Sequence, residues 1–384
     1  GHSFSALVPT DGTLVTVGRL AGMRSHDKAA KTAEFGAGTL LSQAGKPLAD
    51  VGLAMPNLSD IDYQTLGGLY ATSTHGTGLK FGSMSTHVTG IRLATPAGEL
   101  LDIDRTSRPE LFNAARVSLG ALGIASRFTV QCRDAFRLKE RMELRKTEEF
   151  LEEIDDLVEN NQHWEMQVLT HSDYALGIWL NETDEPANSS GNEDEEGGNE
   201  FVAMIEGLHK YGSDFPAVRR ALFNAIASRV TFEPRIGDCY AIFANVRNVR
   251  FNEMEYEVPR EAGPKCLREI LQTIHTRNLP TWFPIEYRYV AGDDIWLSQF
   301  QGRDSASISV HQFYEMDHHN FFAVIEPIFW KHGGRPHWGK VHTLNARQLR
   351  PLYPHFDEFR AVRQQLDPQG RMLNAHLRSV FGLR

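Results

Sequence analysis

Cysteine is scarce in this sequence. The chain has 384 residues and three cysteines, Cys132, Cys239 and Cys266. Their odd number and wide spacing argue against a disulfide framework and against a zinc knuckle. We therefore expect a protein of a reducing compartment, the cytoplasm.

Long apolar runs and surplus positive charge are also missing. No stretch approaches the roughly 18–20 apolar residues that span a bilayer, and the formal net charge is −9. Hydrophobic residues make up 41% and charged residues 23%, as is usual for globular proteins. The sequence predicts a folded chain of two domains, or one large composite domain, with no membrane span and no nucleic-acid partner. It does not indicate an oligomeric state.

Several common catalytic motifs are absent. The chain has no G-x-x-x-x-G-K-[ST], no G-x-G-x-x-G between a strand and a helix, no H-E-x-x-H and no G-x-S-x-G. His337 and His342 lie five residues apart, but Lys340 between them puts a cation where a metal would need electron donors. We expect no metal site.

The pattern of apolar residues changes near Arg133. Before it, glycine-rich turns separate short apolar runs, which predict a hairpin around Pro96-Ala97-Gly98, a helix from Pro109 to about Gly120 and a strand from Ile124 to Gln131. After it, helices and strands alternate in an α+β pattern. The helices are predicted at 147–160, 261–278 and 356–366, and the strands at 164–170, 174–179, 284–289 and 307–313. An acidic, polar run over residues 181–200 predicts a solvated loop.

Two turn clusters lie close together in the first part. Ser73-Thr74-His75-Gly76-Thr77-Gly78 combines glycines with small hydroxyl residues, which lets main-chain N–H groups approach an anionic or planar ligand. A tight turn that needs positive φ explains such a segment equally well. The preceding turn-rich segment, 57–68, makes a ligand-binding wall the better interpretation.

The segment 57–78, with its N-L-x-D-I-D-x-Q-T and T-H-G-T-G elements, resembles the FAD-binding domain of the vanillyl-alcohol-oxidase superfamily. Within it, the chain is similar to the aldonolactone oxidase and alditol oxidase branch. Further strings match in order along the chain. They are G-H-S-F at 1–4, L-G-A-L-G-I at 119–124, E-Y-R at 286–288, G-D-D-I-W-L-S at 292–298 and R-P-H-W-G-K at 335–340.

The resemblance implies a two-domain α+β fold of the vanillyl-alcohol-oxidase (PCMH) type, with FAD as cofactor. Many members carry a histidine bonded covalently to the flavin 8α-methyl carbon, and His2 matches it. The implied domains are an FAD-binding domain (1–134), a substrate or cap domain of a sheet plus helices (135–343) and a segment returning to the FAD domain (344–384). Family members carry further residues before G-H-S, so the N-terminal part of the FAD domain is expected to be missing here. The implied cofactor-binding residues are Gly1, His2, Ser3, Ser73, Thr74, His75, Gly76, Thr77, Gly78, Gly120, Gly123, Ile124 and Asn374.

Four residues are implied as catalytic. Glu286 and Arg288 are two apart, so on a strand both side chains point to one face, where they could grip a substrate. A surface ion pair would also explain this spacing. Lys340 matches a family lysine that reaches the substrate hydroxyls, and His311 falls where alditol oxidases place a histidine facing the substrate. A structural role in the core, with its ring hydrogen-bonded to the protein, is an equally good interpretation of His311.

The implied function is FAD-dependent oxidation of an aldono-1,4-lactone of the gulono or arabinono type. Hydride passes from a hydroxyl-bearing carbon to flavin N5, and O2 or another acceptor then takes the electrons. Oxidation of a sugar alcohol is the nearest alternative, because the same motifs would serve it. A flavin-free remnant that acts as a binding protein is an alternative of another class.

Overall fold

The computed structural model describes residues 2–190, 220–221, 223–225, 230–244 and 249–383. Gly1, expected at the cofactor, and residues 191–200, the second half of the predicted acidic loop, lie outside the described residues. The predicted loop begins two residues later than expected, because a strand runs to Glu182, and residues 183–190 form no helix or strand.

The first part of the chain forms an antiparallel sheet with the order β1-β2-β6-β4-β5. Its strands are β1 (Met23–Asp27), β2 (Thr32–Gly36), β4 (Val88–Ala94), β5 (Leu100–Asp104) and β6 (Ile124–Gln131). The predicted hairpin is confirmed, since Ile91 of β4 lies opposite Ile103 of β5. Beside this sheet lie the short pair β3 (Leu53–Ala54) and β7 (Arg133–Asp134) and the helices α1 (Gly45–Asp50), α2 (Leu66–Ala71) and α3 (Pro109–Ala115).

Helix α3 is shorter than predicted. It ends at Ala115, whereas the sequence suggested about Gly120. Leu119 and Gly120 have φ values of 53° and 73°, which no right-handed helix can contain. The residues after α3 therefore form a turn that leads into β6.

The second part of the chain forms a larger antiparallel sheet with the order β11-β8-β10-β9-β13-β14-β12-β15 in the described residues. Its strands are β8 (Arg137–Lys146), β9 (His163–Val168), β10 (Tyr174–Glu182), β11 (Arg235–Asp238), β12 (Phe251–Pro259), β13 (Ile285–Val290), β14 (Ser305–Phe313) and β15 (Arg335–Pro336). The prediction of one continuous helix over 147–160 is wrong. The segment forms two helices, α4 (Thr147–Glu152) and α5 (Ile154–Asn160), which meet at Glu153, whose carboxylate is bound by Arg145 at 3.0 Å.

The large sheet has one apolar face and one polar face. Because side chains alternate along a strand, Met254, Tyr256 and Val258 of β12 point to the opposite side from the glutamates between them. Helices α7 (Gly263–Thr276) and α8 (His318–Lys331) pack on this part of the sheet. Helix α6 (Cys239–Phe243) lies beside β11 and β8. The polar face is turned away from this core and forms the floor of the site described below.

The last helices bring the chain back to its beginning. They are α9 (Ala346–Leu349), α10 (Phe356–Leu366), which was predicted, and α11 (Ala375–Phe381). Arg371 donates to the carbonyl of Pro96 at 3.2 Å, and Asn374 donates to the carbonyl of Ala6 at 2.9 Å. These contacts suit a C-terminal segment that returns to the first domain. The boundaries at 134 and 343 stay predictions.

Two expectations from composition concern the cysteines and the membrane. Cys132, Cys239 and Cys266 are buried thiols, and none forms a disulfide. Within the described ranges, no helix combines the length and apolarity needed to cross a bilayer.

Candidate active site

The polar face of the large sheet is unusually rich in charge for a buried surface. Strand β12 places three glutamates opposite a histidine and two serines of β14, and β13 adds an acid and a base beside them. Strand β9 follows with another acid. The members of this polar face are Glu165, Glu253, Glu255, Glu257, Glu286, Arg288, Ser307, Ser309 and His311.

Arg288 is held between two carboxylates. Its Nε donates to Glu165 Oε2 at 2.8 Å, and its Nη2 lies 2.8 Å from Glu286 Oε2. Glu286 and Arg288 are only 9% and 8% exposed, so the alternative of a surface pair is wrong. Burial raises the pKa of Glu165, which Arg288 partly opposes. The guanidinium is thus fixed in one orientation on the face.

Lys340 reaches the same face from another element. The segment after β15 runs along β12, where His337 N–H donates to the carbonyl of Glu255 at 3.0 Å and Val341 N–H to that of Glu253 at 2.9 Å. The Lys340 ammonium contacts the Glu253 carboxylate and lies 3.6 Å from Glu255 Oε2. Burial opposes the charge, but these carboxylates raise the pKa of Lys340 above its usual value. Lys340 is therefore an ammonium at neutral pH.

His311 lies on the polar face and is 2% exposed. Its Nδ1 lies 2.9 Å from the carbonyl of Pro284, and its Nε2 lies 3.4 Å from Glu253 Oε1. Both ring nitrogens thus face protein oxygens. The structure brings His311 together with Lys340 through one carboxylate, whereas its contact with a substrate stays a prediction.

His75 joins the glycine-rich turn to the sheet. Its Nε2 lies 2.6 Å from Glu255 Oε1, which also accepts a hydrogen bond from Ser307 at 2.7 Å. Although burial opposes ionisation, His75, His337 and the Lys340 ammonium together hold the pKa of Glu255 well below its usual range. Glu257, the next acid along the strand, is different. Neither of its carboxylate oxygens has a hydrogen-bond partner in the described part of the chain, and burial raises its pKa well above the usual value.

Three further contacts tie the turn Ser73–Gly78 to the second part of the chain. Ser73 Oγ lies 3.2 Å from Ser298 Oγ, Thr77 Oγ1 donates to the carbonyl of Trp164 at 2.6 Å, and Gly78 N–H donates to that of Tyr289 at 2.8 Å. Ser73 has φ 58° and Gly78 has φ 126°. These contacts fix the turn as a wall beside the large sheet.

The wall formed by this turn has hydrogen-bond donors that no described residue accepts. The buried Nδ2 of Asn57 has no acceptor among the described residues, and none of the hydrogen bonds between them uses the main-chain N–H of Gly76 or Thr77. A Cβ on Gly76 would lie 2.2 Å from the carbonyl oxygen of Leu58, so only glycine lets these segments approach. Unused donors on a close-packed turn suit the acceptor atoms of a flavin ring or a phosphate. The residues therefore fit FAD.

The turn before β6 offers a second approach. Leu119 N–H donates to the carbonyl of Ala71 at 3.0 Å, which places this turn beside the end of α2. No atom lies within 4 Å of a Cβ built on Gly120, whereas a Cβ on Gly123 would lie 2.4 Å from the carbonyl oxygen of Ala94. Gly120 thus faces open space that a cofactor could use. Gly123 and Ile124 serve the packing of β6 on β4.

The segment that carries His2 lies next to Lys340. Phe4 N–H donates to the carbonyl of Gly339 at 2.7 Å, and Lys340 Nζ lies 5.3 Å from the centre of the Phe4 ring. Ser3 Oγ lies 3.4 Å from a Cβ built on Gly339. The His2 ring stacks on Tyr63, with 6.4 Å between ring centres. Partial desolvation lowers the pKa of His2, and the Lys340 charge acts in the same direction.

The Asn374 side chain is already used by the protein. Its Nδ2 donates to the carbonyls of Ala6 at 2.9 Å, Leu7 at 3.1 Å and Pro9 at 2.9 Å, and its Oδ1 caps α11 through Leu377 N–H at 2.8 Å. Asn374 thus fixes the segment that follows His2. A direct cofactor contact stays a prediction.

In the described residues, two groups of side chains have the spacing of metal ligands, with nitrogen and oxygen atoms within 4.8 Å of one another. They are His75, Glu255 and His337, and Glu253, Glu286 and His311. In both groups the Lys340 ammonium lies against a member carboxylate. A second cation there would meet this fixed charge at close range, which disfavours a metal. The expected absence of a metal stays a prediction.

Sequence reasoning missed Glu165 and the three acids of β12. A signal was present, since Glu253, Glu255 and Glu257 alternate with apolar residues at the period of a strand with one polar face. This pattern alone does not mark a site, because acids at alternate positions usually face water. Here they face a histidine and a lysine from distant parts of the chain.

Comparison with known proteins identifies the family. Residues 128–380 match the D-arabinono-1,4-lactone oxidase family, and residues 1–104 match the FAD binding domain. The chain belongs to the D-arabinono-1,4-lactone oxidase family. FAD is the cofactor of its N-terminal domain.

Individual relatives agree with this assignment. An L-gulono-1,4-lactone dehydrogenase of Mycobacterium tuberculosis is 37% identical over 100% of this chain and 89% of its own length. An L-gulonolactone oxidase of Bos taurus is 30% identical over 99% of this chain and 88% of its own length. An alditol oxidase of Streptomyces sp. is more distant, at 26% identity over 99% and 89%. The predicted family is confirmed.

The fold is confirmed by a solved structure. A cholesterol oxidase from Brevibacterium sterolicum superposes with a TM-score of 0.78, covering 99% of this chain and 88% of its own. Its sequence identity is 17%, so the likeness concerns the fold alone. The predicted FAD-binding α+β architecture is therefore correct.

Proposed function

We propose that the protein oxidises an aldono-1,4-lactone of the gulono or arabinono type at the hydroxyl beside the carbonyl. The observation that carries the proposal is the polar face, where Arg288, Glu286 and Lys340 converge from two elements on a surface beside His2 and the Ser73–Gly78 turn. FAD, when bound, supplies the acceptor for the hydride. The mycobacterial and bovine relatives named above act on such a lactone.

The residues of the face have separable roles. The Lys340 ammonium and the Arg288 guanidinium are fixed positive groups that lower the cost of negative charge on a bound hydroxyl oxygen. The 2.8 Å contact with Arg288 orients Glu286, whose carboxylate can accept a hydrogen bond from the substrate hydroxyl. Because Lys340 is held as an ammonium, it acts as a charge and a donor, and a proton acceptor must be another group.

We further propose that His2 carries the flavin covalently. The ring lies at the segment fixed against Gly339, and its lowered pKa leaves an uncharged nitrogen at neutral pH, as bond formation to the flavin 8α-methyl carbon requires. Such a bond would keep the cofactor in place and raise its redox potential.

Two other functions are distinguishable by experiment. A sugar alcohol oxidase would use the same charged groups on a terminal hydroxyl, and the more distant alditol oxidase relative keeps this candidate open. A flavin-free binding protein would show no flavin absorbance. The proposal includes either O2 or another redox partner as the electron acceptor, because both a dehydrogenase and an oxidase occur among the relatives.

The test is anaerobic mixing of the flavin-loaded protein with L-gulono-1,4-lactone, D-arabinono-1,4-lactone, xylitol and sorbitol, followed by air. We expect the lactones to bleach the flavin and the alditols to leave it oxidised. Bleaching by the alditols alone would replace the proposal with its alternative. The speed of recolouring in air separates an oxidase from a dehydrogenase.

A matched pair of variants tests the site. Lys340→Met should slow bleaching by about 100-fold or more, as expected when one fixed donor is lost from a charge-stabilising site. The control is Lys331→Met, since Lys331 is exposed and pairs with Glu269 at the surface. Equal rates in the two variants would remove Lys340 from the mechanism.

A further inference from the structure

Glu253 occupies a central position among the charged groups of the site. It is 3% exposed, and its two oxygens point to different candidate catalytic residues. One oxygen contacts the Lys340 ammonium, and the other lies 3.4 Å from His311 Nε2. No motif of the sequence had marked this residue.

Lys340 depends on a carboxylate for its placement. Its flexible four-carbon stem fixes no position for the ammonium, whereas the main chain around it is tied to β12. The other carboxylate within 4 Å belongs to Glu255; its Oε2 lies 3.6 Å from Lys340 Nζ, while its Oε1 binds His75 and Ser307. Glu253 is therefore the main partner of the ammonium.

We propose that Glu253 is a positioning residue, which holds Lys340 as an ammonium at the substrate face and couples it to His311. The assignment rests on the proposed function, in which Lys340 serves as a fixed positive charge. Two geometric facts carry it, the direct contact with Lys340 and the shared contact with His311. Strand β12 thereby contributes to the reaction without touching the substrate.

The charge state of Lys340 depends on every ionisable group that faces it or Glu253. Lys340 and burial together set the pKa of Glu253, burial raising it and Lys340 outweighing this, so that it falls to about 2. The groups in question are Glu253, Glu255, Glu286, His311, His337 and His2. Of the acids, Glu253 makes the shortest contact with the ammonium.

The first experiment is the pH dependence of flavin reduction by saturating L-gulono-1,4-lactone under anaerobic conditions. In the wild type the raised pKa of Lys340 places the basic limb above pH 10.5. Removing a charge in direct contact typically shifts a pKa by about 1–3 units, so Glu253→Gln should bring this limb down by that amount. An unchanged limb with a uniformly lower rate would mean a merely structural role and would overturn the proposal.

Glu253→Asp is the second variant, because it keeps the charge and shortens the reach. It should keep the basic limb of the wild type while reducing the rate at saturating lactone. A limb displaced as far as in Glu253→Gln would contradict the proposal. Glu315→Gln, an exposed glutamate outside the site, is the control for the substitution itself and should match the wild type in both readouts.

A measurement without turnover separates this proposal from the function on which it rests. The ¹³Cε resonance of Lys340, assigned as the signal lost in Lys340→Met, reports its titration in the flavin-loaded protein. Glu253→Gln should lower that pKa and Glu315→Gln should not. If no lactone reduces the wild-type flavin, the proposed function fails, while this titration still decides whether Glu253 controls Lys340. An unshifted titration would overturn the positioning role.

Discussion

The opposite pKa shifts of two neighbouring glutamates give the most demanding prediction. Glu255 and Glu257 lie two residues apart on the same face of β12, yet the pKa of Glu255 is well below the usual value and that of Glu257 well above it. Desolvation dominates at Glu257 because its oxygens have no hydrogen-bond partner in the described residues. Folding therefore favours the neutral acid form of Glu257.

The consequence for stability follows from linkage. A carboxyl whose pKa is raised by folding favours the folded state fully only below its unfolded pKa, and this contribution is lost as pH rises towards the folded pKa. The loss is about 1.4 kcal/mol for each pH unit while the folded carboxyl stays protonated.

Glu257→Gln removes this penalty, because glutamine has nearly the same shape and never ionises. Relative to the wild type, the variant should gain stability steadily as pH rises from 5 to 8. Glu255→Gln is the matched control. Its depressed pKa stabilises the fold fully above the unfolded pKa of about 4.3, so this variant should lose a constant amount of stability between pH 5 and pH 8 and less only in stronger acid.

The assay is urea unfolding of the flavin-loaded proteins, followed by tryptophan fluorescence at pH 5, 6, 7 and 8. The quantity compared is the difference in unfolding free energy between each variant and the wild type. Parallel curves for Glu257→Gln and the wild type would refute the reasoning, because they would mean that Glu257 ionises equally in both states.

Three further predictions concern other parts of the site and its surroundings. His2→Ala should give protein that loses its yellow colour on denaturation, whereas the wild type keeps it. Colourless denatured wild type would contradict the proposed covalent bond. Arg288→Met should lower the unfolding free energy by about 3–5 kcal/mol, more at pH 8 than at pH 5, because the buried Glu165 and Glu286 lose their cation. Adding Glu165→Gln should restore part of this stability in the same urea assay, and no recovery would contradict the pairing. His342→Phe should make the loss of stability between pH 6.5 and pH 4 shallower, because burial lowers the pKa of His342 to about 3 and protonation there favours unfolding; an unchanged slope of thermal midpoint against pH would contradict this.

Much of the fold could be predicted from the sequence because its signals are local. The hairpin around Gly98, the helix 356–366 and the change of architecture near Arg133 all follow from apolar periodicity and turn residues. The predictions failed at element ends. Helix α3 ends before Leu119, a non-glycine residue whose left-handed conformation no local pattern announces.

In the candidate site, too, residues in local motifs could be predicted, and residues that act through distant contacts could not. Glu286, Arg288 and Lys340 were found because they lie in strings similar to a known family, and the structure places their side chains on one buried face. Glu253 was missed because its importance comes from contacts with His311 and Lys340, which are 58 and 87 residues away in the chain. Such pairings depend on strand register, which apolar periodicity alone does not determine.

The central claim is that a lactone bound at this face gives up the hydrogen beside its carbonyl. Its most direct test is the anaerobic rate of flavin reduction by L-gulono-1,4-lactone deuterated at carbon 2, compared with the unlabelled lactone. We predict that deuterium slows bleaching several-fold, since the C–H bond at that carbon breaks as the hydride leaves. Equal rates with the two lactones, or no bleaching by either, would contradict the account.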